Sequence, residues 1–111
     1  MGDRVSISFV RGKARSPQLF NHWGGREFVQ DALKYARNLS EERKREGGFK
    51  PLDRLEPRTV MVDFIRYITN RLYRVESNLY ICANRADGDD SDNGAFIIDL
   101  TDRDNIVALE E

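Results

Sequence analysis

The hydrophobic period changes abruptly across Asn21-His22-Trp23-Gly24-Gly25-Arg26, and that switch constrains the fold more than any other feature. Before it, Val5, Ile7 and Phe9 alternate with Ser6, Ser8 and Val10, which is the period of a half-buried strand. After it, Phe28, Val29, Ala32, Leu33, Tyr35, Ala36 and Leu39 recur at steps of three and four. That spacing makes one wide apolar helix face, with Gln30, Asp31, Lys34, Arg37 and Asn38 opposite. The chain must therefore pass from strand to helix at the glycine pair, since glycine reaches backbone angles that other residues avoid. Glu27 then complements the positive end of the helix dipole.

The remaining elements follow from the same two periods. Arg11 to Arg15 reads as a turn and residues 16–22 as a returning strand, so the N-terminal third predicts a hairpin. The first helix is expected from Gly25 to Arg45, polar all round after Ser40 and stopped by Gly47-Gly48. Phe49 to Leu55 reads as a linker around Pro51. Pro57 opens a second helix in the position proline favours. Val60, Met61, Phe64, Ile65, Ile68 and Leu72 form its apolar face, widened by Val62 and Tyr67. Leu79 to Ala83 and Ala95 to Leu100 read as two buried strands, joined into a hairpin by the turn residues 84–94. Thr101 to Glu111 is expected to be a short last strand or helix, or a frayed end.

The expected fold class is α+β. Two β-hairpins form a four-stranded, mostly antiparallel sheet with two helices on one face, in the order ββααββ. The 111 residues, 40% hydrophobic and 33% charged, suit a single domain over residues 1–111 with one modest core. A homodimer would be unsurprising at this size. No apolar run approaches eighteen residues, so no membrane span is expected, and the start lacks the apolar core of a signal peptide. One cysteine, Cys82, excludes an internal disulfide, and cytoplasmic residence is the default expectation.

Charge is unevenly spread. Residues 1–83 carry 16 basic and 10 acidic side chains, net +6, while residues 84–111 carry 2 and 9, net −7. Arg11, Lys13 and Arg15 at the first turn, with Arg66, Arg71 and Arg74 on the second helix, are the candidate nucleic-acid contacts. A solvated turn and a set of surface ion pairs account for the same residues. The glycine pair beside His22 and Arg26, at a helix N-terminus, is a candidate anion or carboxylate site comprising His22, Trp23, Gly24, Gly25 and Arg26. It has the spacing of neither a Walker A loop nor a dinucleotide loop. Structural roles suffice for all five residues, with Trp23 as a packing anchor.

This corner, Leu19-Phe20-Asn21-His22-Trp23-Gly24-Gly25 between a strand pair and an amphipathic helix, resembles that of small phage and prokaryotic proteins with a similar His-Trp-x-Gly turn. The likeness covers the first forty residues or so. It implies a small stand-alone domain of viral or prokaryotic type, and no activity.

Asp87, Asp89, Asp90 and Asp92 crowd one loop. Asp89, Ser91, Asn93 and Gly94 match positions 1, 3, 5 and 6 of an EF-hand, but Leu100 stands where the bidentate glutamate belongs and the flanks read as strands. An EF-hand is excluded, leaving a weak Ca2+ loop or a solubilising turn. No other cofactor is expected. Cys82 reads as an inert thiol among apolar neighbours, and any thiol or hydroxyl nucleophile would depend on the one histidine, His22. No catalytic residue is assigned. The expected function is a non-enzymatic binding or interaction module. Nucleic-acid binding by the basic part is one alternative, and an anion-binding protein or enzyme at the His22–Arg26 corner is another.

Overall fold

The computed structural model describes residues 2–46, 55–71 and 79–111. The Gly47-Gly48 stop, the linker 49–54, Leu72 and Arg74 lie outside the described residues, as does the side chain of Arg71. The described residues form an α+β fold with two α-helices and a mixed six-stranded sheet. The strands are β1 (Val5–Arg11), β2 (Ala14–Arg15), β3 (Gln18–Asn21), β4 (Leu79–Cys82), β5 (Ala95–Asp99) and β6 (Val107–Glu110). The helices are α1 (Gly25–Glu46) and α2 (Pro57–Arg71), between β3 and β4. The sheet order is β4-β3-β1-β5-β6, with β2 also paired to β1.

The expected ββααββ order and four antiparallel strands require three corrections. First, residues 16–22 are not one strand. Phe9 N–H donates to Ser16 Oγ and Ser16 N–H to Phe9 O, both at 2.9 Å, so a hydroxyl replaces a ladder carbonyl beside Pro17, which has no N–H. The return therefore splits into β2 and β3. Second, β4 and β5 do not form a hairpin. β4 pairs antiparallel with β3, and β5 pairs parallel with β1, Ile7 opposite Phe96. Residues 83–94 are thus a crossover spanning β3 and β1. Third, the tail supplies β6, which pairs Ile97 with Leu109 and closes the far edge.

The core lies between the helices and one sheet face. Val5, Ile7, Phe9, Leu19 and Ile98 come from the sheet, and Phe28, Ala32, Ala36, Val60, Phe64 and Ile68 from the helices. Every apolar position expected on α1 is buried. On α2 the expected widening fails at Val62, which is 60% exposed, whereas Tyr67 packs on the core. The Phe64 ring meets Phe9, Phe28 and Tyr35 at centroid distances of 5.8, 5.7 and 5.2 Å. Tyr35 also hydrogen-bonds Asp63 across the helix pair. The loop before β6 is tied to α1 by Arg37 Nε to Ile106 O and Ser40 Oγ to Arg103 O.

β1 is not half-buried as its alternation suggests: Ser6 and Ser8 are as buried as Val5 and Ile7. The crossover covers their face. Conversely β4, expected to be buried, is an edge strand with Tyr80 and Ile81 exposed. No described helix is long and apolar enough to cross a membrane.

Candidate functional site

The His22–Arg26 corner is built on Asp3. Asp3 N–H donates to His22 O and Gly25 N–H to Asp3 O, both at 2.9 Å. Gly25 has φ +58°, and a Cβ there would collide with the Asp3 carboxylate. A carboxylate of the chain itself therefore lies against the first residue of α1, where the helix dipole favours negative charge. Arg26 stacks over the Phe96 ring, 5.8 Å from its centroid, and His22 meets Trp23 edge-on at 4.6 Å. Trp23 is not buried as an anchor would be: it is 54% exposed. Cys82 pairs with Gln18 at the start of β3, whereas His22 follows the end of β3. The two are roughly 13 Å apart at about 3.4 Å per residue, too far for a nucleophile–base pair.

In the acidic loop Asp89 and Asp92 share Arg4, while Asp90 is held by Ser6 and Arg85. Asp92 accepts from Arg4 N–H at 2.9 Å, and Arg4 Nε lies 3.3 Å from Asp89. Asp90 accepts from Ser6 Oγ at 2.7 Å and from Arg85 Nε at 2.9 Å. Hydrogen bonds from Ser91, with the charges of Arg4 and His22, hold the Asp89 carboxyl below its usual range against a smaller desolvation effect. His22 and Asp89, unrelated in the sequence reading, are thus electrostatic neighbours. Among the described residues no three carboxylate, imidazole or thiol groups converge as a metal site would require. Arg4 and Arg85 lie beside these carboxylates and offset part of their mutual repulsion.

The tip 11–15 also divides. Arg11 and Lys13 stay exposed on either side of Gly12. The Arg15 guanidinium instead contacts Glu111 at 2.5 Å and Gln18 Oε1 at 3.3 Å. Arg66 is exposed on α2.

Arg15 borders a cleft of about 650 Å³ that includes Gln18, Arg58, Asn84, Arg85 and Glu111. Five segments meet there: the end of β2, the start of β3, the first turn of α2, the crossover after β4, and the residue following β6. Sequence reasoning singled out Arg15 alone. The others are ordinary polar residues far apart along the chain, and no local pattern marks them.

No family model, curated protein or solved structure matches the chain.

Proposed function

We propose that the protein is a non-enzymatic interaction module that pairs with a second copy of itself along the outer edge of β4. The observation that carries this reading is the edge itself. Among the described residues no strand pairs with it. Its four residues, Leu79-Tyr80-Ile81-Cys82, carry no charge or proline to discourage pairing, and Ile81 is 55% exposed. The opposite edge, β6, ends in the exposed Glu110, which repels a like copy. Antiparallel pairing of two β4 strands is two-fold symmetric and closes after one partner. Trp23, two residues beyond the β4-paired Asn21, extends the apolar surface at one end. The corner's resemblance to small phage and prokaryotic proteins fits a stand-alone module and adds no activity.

Light scattering on the native protein, with and without a short DNA duplex at low salt, tests this. The expected mass is a dimer that ignores DNA. Ile81→Lys should yield a monomer whose stability changes by less than about 0.5 kcal/mol, since the side chain is exposed. An unchanged mass in that variant, or a wild-type monomer, removes the reading. A mass increase with DNA that falls steeply with salt would favour the exposed cations Arg11, Lys13 and Arg66.

A further inference from the structure

We infer that the arginine-lined cleft between the sheet end and the first turn of α2 is a binding site for a phosphate monoester of a small organic molecule, with Glu111 as the resident group that the ligand displaces. The site is separate from the β4 edge and does not depend on self-association.

Preorganisation is the first support. Gln18, 2% exposed, forms the buried link between two of the arginines. Its Oε1 accepts from Arg15, its Nε2 donates to Ser6 Oγ at 3.0 Å, and Ser6 Oγ donates to Asp90, which holds Arg85 through Nε and Nη2. Two guanidinium groups are thus fixed by one continuous hydrogen-bonded row through the sheet. Fixing a donor before the ligand arrives reduces the ordering penalty of binding. Ser8 Oγ, two residues along β1 on the face of Ser6, is buried with no hydrogen-bond partner among the described residues, an unusual state for a hydroxyl.

Charge selects the ligand. Asp90 neutralises Arg85, Glu111 neutralises Arg15, and Arg58 makes no ion pair with a described residue. When Glu111 leaves, Arg15 has no ion-pair partner among the described residues, and Arg58, whose charge acts on the Glu56 carboxylate without a direct ion pair, remains available to an anion. A monocarboxylate would merely replace Glu111, whereas a phosphate monoester, carrying about −1.5 to −2 at neutral pH, matches both cations. Guanidinium forks suit its oxygens. Asn84 Oδ1 accepts from Ala86 N–H, so the donor of this side chain to a ligand would be its amide nitrogen. The volume lies within the range of small-molecule sites and is far larger than a bare phosphate needs.

Titration calorimetry in low-salt buffer would use phenyl phosphate, inorganic phosphate and benzoate. Phenyl phosphate should bind, inorganic phosphate more weakly, and benzoate at least about tenfold more weakly than phenyl phosphate. Arg58→Ala should lower phenyl phosphate affinity by about tenfold or more, with the far-ultraviolet circular dichroism spectrum of the folded protein retained. Glu111→Gln should raise it several-fold, and Glu27→Gln, an exposed control on α1, should leave it unchanged. Ile81→Lys should bind like the wild type, so failure of the dimer leaves the site standing. No binding of phenyl phosphate, equal binding of benzoate, or indifference to both Arg58→Ala and Glu111→Gln would each overturn the assignment.

Discussion

Gly88→Ala isolates whether the crossover is truly seated on the sheet. Phe20 is fully buried and its ring stacks on Tyr80 at 5.0 Å with an interplanar angle of 6°. Gly88 closes on the far end of that ring. A Cβ there would stand 2.5 Å from Cε2 and 2.6 Å from Cε1. Its φ is −124°, open to any residue, so the substitution acts through space alone. Reaching an ordinary carbon–carbon distance requires a shift of about 1 Å. The ring cannot yield against Tyr80, so the loop must rise. That strains the hydrogen bonds from Asp89 N–H to Tyr80 Oη and from Ser6 Oγ to Asp90. Overpacking typically costs about 1–3 kcal/mol and weakening a bond to a carboxylate adds to it, while the stiffer unfolded chain returns about 0.4–1 kcal/mol. The net expectation is a loss of about 2 kcal/mol, or about 1 M in the urea midpoint followed by far-ultraviolet circular dichroism. Gly12→Ala is the contrast: its φ is +58° but no atom lies within 4 Å. It should lose only the backbone strain, about 1 kcal/mol. Phe20→Leu should relieve Gly88→Ala, giving a positive coupling in the double-mutant cycle. A Gly88→Ala midpoint equal to wild type, or strict additivity with Phe20→Leu, would refute the seating. Arg85 and Asn84 would then lose the support that places them at the cleft.

Phe64→Ala should cost about 3–5 kcal/mol, on the order of 15 °C in Tm by calorimetry, because three buried rings meet Phe64 and no neighbour can fill its volume. Stability should also fall on acidification. Partial burial raises the Glu56 carboxyl, but hydrogen bonds from the Thr59 and Arg58 backbone and the Thr59 hydroxyl, with the Arg58 charge, outweigh it and leave it lowered. Asp89 is lowered too. A lowered native pKa means that the unfolded chain binds more protons, so stability rises with pH through this region. It is fully present above the ordinary carboxylate range and is lost as pH falls through the native values. Urea midpoints at steps from neutral to acidic pH should decline, and Glu56→Gln should flatten part of that slope.

The helices and the core face were legible in the sequence because both depend on local periodicity. Phe28 to Leu39 at helical spacing, and Val5, Ile7 and Phe9 at strand spacing, specify which side of each element is apolar before any partner is known. The glycine corner was legible for the same reason, as an abrupt change of period. Strand partnership was not. Residues 84–94 have the composition of a hairpin turn and of a crossover alike, and only their length, beyond the two to five residues of most hairpin loops, argued against direct pairing of β4 with β5. The burial of Ser6 and Ser8 was equally hidden, because it depends on Gly88, Asp90 and Phe20 arriving from distant positions. The cleft shows the limit most clearly: Arg15, Gln18, Arg58, Arg85 and Glu111 share no spacing and meet only once the sheet is assembled. Short-range patterns decide what each segment becomes. Long-range packing and charge pairing decide which segments face one another, and on this chain that is where the candidate chemistry lies.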